Sequence, residues 1–393
     1  MKEVTKVLFV ISISIILLCA CSSNERSLGN GISKKVTKGD IVYYKVPLSK
    51  NSYDDIVALS ADNIIFFSYE TNTIRNYYKY NILNDSLADL GKLDAELSNY
   101  NSTVIGDNLF FSIVKSIEGQ ALSKLYRVGL KKNTLKEIRS DKLYQAFVYA
   151  EAMSDSIYFL KGDVKGDIGI TYIEEFDTLD NTFKRLAEQQ YRRSSESGNG
   201  IRHISCYGGK IYAVVSEHNG GTRNYKICEY GKDGKINKAV DINSVKDIIG
   251  QEQIDDFRIM GNYFFIKNFS NRAAICEING DKVNRIIDSE YKLDIATDST
   301  NKDQDYYLFY QRESNNKPIL LDVKNNSIIY LDLGLDNTYN KLRFILSDDK
   351  YNILVSYMSK DGKEEEKYYL NLLDFINGAD KEEIDKEKVL HME

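Results

Sequence analysis

A polar turn of Asn, Asp, Lys or Gly leads into an apolar residue, two variable ones and a second apolar residue, and this unit recurs six times. It reads Asn84-Asp85-Ser86-Leu87-Ala88-Asp89-Leu90, then Lys132-Asn133-Thr134-Leu135-Lys136-Glu137-Ile138, and continues in register down the chain. The leading apolar residues are Leu87, Leu135, Phe183, Ile236, Val283 and Ile328, spaced by 45 to 53 residues. Self-similarity at such a period means that each repeat is one supersecondary unit, too small to bury its own apolar face, that must stack on its neighbours.

A second unit keeps phase with the first. A short turn precedes a nearly continuous apolar strand in seven places: Ile64 to Phe67, Leu109 to Phe111, Ile157 to Phe159, Ile211 to Val215, Tyr263 to Ile266, Tyr306 to Phe309 and Ile353 to Val355. A further strand lies between the two units, as at Leu125 to Val128, and another precedes the apolar one, as at Ile56 to Leu59. The chain holds 29 Tyr and 16 Phe but only two Pro, a composition that favours strands over helices. Four strands per repeat at this period predict an all-β fold, a seven-bladed β-propeller of four-stranded blades. Continuous apolar runs suit strands buried on both faces between neighbouring blades. Charges such as Lys136, Glu137, Lys184 and Arg185 suit the solvent-facing outer strand and blunt its edge.

The apolar strand occurs seven times, yet the outer-strand unit occurs only six times after residue 80. A seventh copy stands at the beginning, Lys38-Gly39-Asp40-Ile41-Val42-Tyr43-Tyr44. The N-terminal strand is therefore expected to close the last blade. Six-bladed, eight-bladed and two-sheet sandwich arrangements are the alternatives. A length of 393 residues would ordinarily suggest two or three domains, but repeat folds run long as one. The expected division is a signal peptide at 1–20, a polar tether at 21–37, the propeller at 38–375 and a charged, solvated tail at 376–393.

Lys2 and Lys6 precede a twelve-residue apolar run, Val7 to Leu18. As a helix it would rise about 18 Å, short of the ~30 Å hydrocarbon core, so it matches the h-region of a signal peptide better than a transmembrane span. Leu18-Cys19-Ala20-Cys21 resembles the lipobox of bacterial lipoproteins. That resemblance implies removal of residues 1–20, acylation of Cys21 and attachment to the extracytoplasmic face of the cell membrane; a plain secretory signal is the competing explanation. The turn before the apolar strand, as in Leu59-Ser60-Ala61-Asp62-Asn63 or Leu346-Ser347-Asp348-Asp349-Lys350, resembles the repeat of TolB-like propellers. The family's Pro is missing in every repeat and its Gly in most, so the resemblance implies architecture and carries no functional residues. With the lipobox, the chain looks like the uncharacterised propeller lipoproteins of low-GC Gram-positive bacteria.

No catalytic constellation stands out. His203, His218 and His391 are the only histidines and no two have metal-ligand spacing. No Trp is present, which argues against the propeller enzymes whose blade motifs use it. Neither a metal nor a cofactor is expected. A net charge of −6 argues against nucleic acid, which needs a clustered basic face. Cys206, Cys228 and Cys276 form no disulfide framework and read as buried thiols.

The loops from each outer strand to the next inner strand are the expected recognition surface. The longest, Ala187 to Gly200, holds Tyr191, Arg192 and Arg193, with Arg202 and His203 just beyond. Arg and Tyr are enriched at recognition surfaces. Six of seven such loops carry a tyrosine before the inner strand: Tyr53, Tyr100, Tyr144, Tyr191, Tyr291 and Tyr339. Tyrosines packing between blades are the competing explanation. The predicted function is a monomeric, non-catalytic binding module for an envelope or extracellular protein, peptide or glycan. A hydrolase or lyase, and a solute-capture lipoprotein, are the alternatives.

Overall fold

The computed structural model describes residues 34–38, 41–47, 56–71, 74–94, 99–117, 120–142, 148–250, 253–290, 293–298, 304–311, 317–332, 339–347, 352–359, 365–386 and 388–392. Cys21, Tyr53, Tyr144 and Tyr291 lie outside them, as does the expected signal peptide. The described part is nearly all β.

Strands follow the repeat. After β1 (Lys34–Lys38) and β2 (Ile41–Lys45), an antiparallel meander contains β3 (Ile56–Ser60), β4 (Asn63–Tyr69), β5 (Ile74–Asn81) and β6 (Ser86–Asp94). The next contains β7 (Asn99–Ile105), β8 (Asn108–Ile117), β9 (Gln120–Gly129) and β10 (Thr134–Lys142). An eight-stranded sheet then runs in sequence order through β11 (Val148–Met153), β12 (Ser156–Lys165), β13 (Ile168–Asp177), β14 (Thr182–Arg192), β15 (Ser197–Tyr207), β16 (Lys210–Asn219), β17 (Thr222–Tyr230) and β18 (Ile236–Asp241). The short helix α1 (Lys246–Ile249) leads to β19 (Ile254–Met260), β20 (Tyr263–Asn268), β21 (Ala273–Asn279) and β22 (Lys282–Ser289). Then come β23 (Leu293–Ile295), β24 (Thr297–Asp298), β25 (Tyr306–Gln311), β26 (Ile319–Asp322) and β27 (Ser327–Asp332). The last repeat holds β28 (Tyr339–Leu346), β29 (Asn352–Ser359) and β30 (Glu365–Asn371), followed by α2 (Leu372–Asn377), β31 (Asp380–Glu383) and β32 (Leu390–Met392).

The turn residues that mark the repeat have a backbone reason. Asp85, Asn133, Asn181, Gly234 and Asn326 each stand two residues before the leading apolar position, and each takes a positive φ, between 50° and 77°. Only Gly, Asn and Asp adopt that region readily. Asx bonds reinforce the turns: Asn81 Oδ1 accepts from the Leu83 and Asn84 amides, and Asp177 Oδ1 from those of Leu179 and Asp180.

Apolar strands serve two cores at once. Phe264 packs with Val214, Ile227 and Phe257, whereas its neighbour Phe265 packs with Ile275, Phe309 and Leu321. Successive side chains point to opposite faces, so burial of both faces requires an uninterrupted apolar run. The same sharing links Phe67 and Tyr77 to Phe111, Phe110 to Phe159 and Phe176, and Tyr158 to Ile204. Leu308 and Tyr310 in turn meet Phe344 and Val355. Leu354 and Tyr369 then pack on Leu59, Ile64 and Phe66, so the last sheet rests on the first. Each such side chain contributes roughly 1.5–3 kcal/mol by leaving water.

β2 pairs antiparallel with β30, Tyr43 opposite Leu370 and Lys45 opposite Tyr368, so both ends of the chain share one sheet. The Val46 amide donates to the Lys367 carbonyl at 2.9 Å, and Lys45 ion-pairs with Glu366. β2 is not the outer rung, because β1 pairs beyond it. Residues 34–37, assigned from composition to a flexible tether, are thus strand, in keeping with the β-branched Val36 and Thr37.

The tail also differs from expectation. Its side chains are largely exposed, as its charge demands, but its backbone is paired. β31 runs antiparallel to β27 and β32 parallel to β22. Lys386 lies between these strands and donates to the Tyr263 hydroxyl at 2.9 Å and the Asn326 carbonyl at 2.8 Å. No helix among the described residues is long and apolar enough to cross a membrane.

Candidate functional site

The segment Ala187 to Gly200, expected as a loop, is a hairpin. β14 and β15 extend toward one another, with Tyr191 opposite Gly198 and Arg192 opposite Ser197, and only residues 193–196 form the turn. Gly198 makes the crossing possible: its φ is +113°, and a Cβ there would lie 2.4 Å from the Gln190 carbonyl oxygen. Asp167 clamps the turn from the β12–β13 corner. Its side chain accepts from the Ser194 amide at 2.8 Å and from the Ser194 hydroxyl, and its carbonyl accepts from the Arg193 amide. Those Ser194 bonds chiefly, with Arg192 and Arg193 nearby, hold the Asp167 carboxyl below its ordinary range.

Below this turn lies a cationic group. Arg202 occupies a β-bulge in β15: Ile201 pairs with Val215 and His203 with Val214, so Arg202 is the extra residue. Such a residue is re-aimed relative to its ladder neighbours. Its Nε donates to Ser216 Oγ at 2.9 Å, and its Nη2 lies 3.2 Å from His218 Nε2. For Arg202 to donate there, His218 must be neutral and carry its proton on Nδ1. The Tyr191 ring centroid is 4.8 Å from that of His218, and Arg223 stands directly across from His218 in the β16–β17 ladder.

The electrostatics match the crowding. Desolvation lowers the His218 pKa, Arg202 and Arg223 lower it further, and Glu196 opposes them. Arg202, although its side chain reaches solvent, is likewise pushed down, first by desolvation and then by Arg223, and a guanidinium keeps its charge at any ordinary pH. Among the described residues no carboxylate forms an ion pair with Arg192, Arg193, Arg202 or Arg223.

His203, grouped with Arg202 in the sequence, does not join it. It is buried on the other side of β15, its ring 6.2 Å from that of Phe257, with Nδ1 2.9 Å from the Ile204 carbonyl and 3.0 Å from the Ile204 amide. Burial pushes its pKa down to about 4, so it is a neutral core residue. Tyr100 and Tyr339 lie at the starts of β7 and β28, each just before a bulge in its strand. The same irregularity recurs near the start of β3, β11 and β19. It is a feature of the repeat that apolar patterning does not reveal. Ser216, His218 and Arg223 were missed as partners of Arg202, since only strand register brings them together.

A second charged cluster joins β11, β15 and β19. Glu151, 1% exposed, meets Arg258 at 2.5 Å across the intervening β15. Arg258 also contacts Asp256 at 3.3 Å, and Glu151 accepts from the Cys206 amide at 3.3 Å. Nearby, Lys267 bridges Asp255 at 2.9 Å and Asp294 at 2.7 Å. Cys206, Cys228 and Cys276 are buried and unbridged. Burial raises the Cys228 thiol to about 11 and that of Cys276 to about 12, leaving both protonated and poorly nucleophilic at neutral pH. No group of three or more potential metal ligands converges among the described residues.

No family model matches the chain, and no curated protein matches its sequence. Solved structures do share its architecture. An oligogalacturonate lyase in complex with manganese aligns with a TM-score of 0.50 at 10% identity, covering 86% of this chain and 96% of that one. The β-propeller domain of the Trilobed protease from Pyrococcus furiosus gives 0.44 at 13% identity, over 90% and 95% of the two chains. TolB from Acinetobacter baumannii gives 0.37 at 12%, over 80% and 65%. The chain resembles β-propeller proteins. At these identities the likeness is one of fold alone.

Proposed function

We propose that the chain is an extracytoplasmic, lipid-anchored propeller of seven four-stranded blades that acts as a non-catalytic binding module for an envelope or extracellular ligand. The blade count is supported by the succession of shared cores, which leads from the last sheet back to the first. The anchor is supported by Leu18-Cys19-Ala20-Cys21 after a charged and then apolar leader. The observation that carries the binding role is the cationic group on β14 to β17. It sits on paired strands, beside an aromatic ring, with no carboxylate ion-paired to its arginines among the described residues. Like charges held together in this way disfavour the empty protein, and an anionic ligand relieves them.

Two measurements test this reading. Full-length protein in detergent should co-sediment with isolated cell envelope, and Arg202→Ala together with Arg223→Ala should abolish most of that sedimentation. Equal sedimentation of the variant would refute the assigned surface. Fatty-acid labelling should mark the wild type and not Cys21→Ala; label retained by the variant would refute the anchor.

A further inference from the structure

We infer that Arg202, Arg223 and His218 form one oxyanion pocket, for a carboxylate or a phosphodiester group, that takes up a proton at His218 when it fills. This deepens the binding role proposed above and rests on it.

The arrangement of three basic side chains on adjacent strands is the starting point. Arg202 is fixed at both ends of its guanidinium, by Ser216 Oγ at 2.9 Å and by His218 Nε2 at 3.2 Å. Ser216 Oγ is in turn within 3.3 Å of the Gly200 carbonyl and 3.1 Å of His218 Nε2. These bonds occupy Nε and one Nη, and among the described residues no carboxylate pairs with what remains of the fork. A guanidinium presents five donors in one plane and is suited to gripping two oxygens of a single anion. Arg223 lies opposite His218 on the far side of the ladder, so the three basic groups come from three adjacent strands, β15, β16 and β17.

The imidazole works as the switch. Where Arg202 donates to it, the Nε2 lone pair requires the neutral form of the ring. An arriving oxyanion offers Arg202 Nη2 a charged acceptor in place of that lone pair. His218 Nε2 then gains a proton from solvent and donates to the anion, and no other atom changes its bonding. The charged and titratable groups around the ring are Arg202 on β15, Arg223 on β17, Tyr191 on β14 and Glu196 in the β14–β15 turn. Two of these are cations that oppose protonation when the pocket is empty. A bound anion cancels their effect, so the His218 pKa rises on binding. Between its values in the two states, affinity should increase by up to about tenfold for each unit that the pH falls.

Glucuronate and dimethyl phosphate are suitable probes because both remain monoanions between pH 5 and 8, so any pH dependence belongs to the protein. Full-length protein would be titrated calorimetrically with each, at pH 5.5 and 7.5, in two buffers of different ionisation enthalpy. At least one probe should bind, more tightly at pH 5.5 and with net proton uptake; which one binds separates a sugar acid from a phosphodiester source. Arg202→Ala should weaken binding by at least about tenfold, and Arg202→Lys should restore it only in part. His218→Gln should bind with no pH dependence. The inference is overturned if neither probe binds at millimolar concentration. It is equally overturned if Arg202→Ala binds as the wild type does, or if His218→Gln keeps the pH dependence. Unchanged melting temperatures would exclude misfolding of the variants. Envelope co-sedimentation that depends on Arg202 while both probes fail would overturn the oxyanion pocket and leave the binding module standing.

Discussion

Two groups of charge lie on neighbouring strands of this protein and have opposite characters. Between β11, β15 and β19, the Glu151–Arg258 pair is withdrawn from water and each charge has a partner. At the hairpin edge a few residues away, Arg202 and Arg223 crowd a histidine, with no carboxylate ion-paired to either arginine among the described residues. Both sets depend on the same inner strand, since β15 supplies the Cys206 amide to one and Arg202 to the other. A satisfied buried pair holds neighbouring sheets in register, and removing one partner strands the other. A group of like charge with no carboxylate paired to it contributes little to the fold, and under the proposed function it receives an anion that arrives from outside.

The contrast can be broken by mutation. The largest effect is expected at Glu151→Gln, which keeps the volume but removes the buried negative charge that faces Arg258. Urea unfolding should show a loss of about 3 kcal/mol, and a loss below about 1 kcal/mol would mean that the pair is ornamental. Next comes acid sensitivity through His203. Its folded pKa of about 4 lies below the unfolded value near 6.5, so the unfolded chain binds the proton first. Stability from this residue is complete above pH 6.5, falls as the pH drops toward 4 and is then lost, on the order of 3 kcal/mol in all. His203→Gln should flatten the slope of stability against pH across that window; an unchanged slope would show that the ring titrates normally.

Gly198→Ala should cost about 1–3 kcal/mol, because the φ of +113° and the Gln190 carbonyl both exclude a Cβ. It should also weaken envelope binding by shifting Tyr191. A variant with wild-type stability and binding would show that the hairpin tolerates another path. Smallest of all is Arg202→Ala, expected within about 0.5 kcal/mol of wild type in stability although it removes most of the binding. Substantial destabilisation there would turn the edge into a second structural cluster and erase the distinction.

The sequence made the regular part of this molecule legible and left the irregular part hidden. Apolar runs such as Tyr263 to Ile266 and turn residues such as Asn133 and Asn181 betray their positions because burial and positive φ each restrict residue type. The pairing of β2 with β30 could be anticipated from a missing copy of the repeat. Arg202 was visible as a residue, but not the bulge that turns it toward Ser216 and His218, since an extra backbone position has no compositional mark. His218 and Arg223 join it only through register across two hairpins. Arg192 and Arg193, its neighbours in sequence, lie instead near the Asp167-clamped turn. The paired tail was equally hidden, because exposed charged side chains look the same on a solvated coil and on a strand held by its backbone.

The sharing of one sheet by both chain ends sets a timetable for synthesis. Lys45 waits for Glu366, 321 residues behind it. At roughly 5–20 residues per second, that interval is on the order of half a minute. Throughout it, Ile41 to Lys45 has β1 along one edge and keeps the other unmatched, open to pairing with any other strand it meets. The repeats from β3 onward can stack as they emerge, so nearly the whole molecule exists before its first segment finds its place. A circular permutant that joined β30 directly to β2 would remove that delay, and with it the period in which two nascent copies could exchange their leading strands.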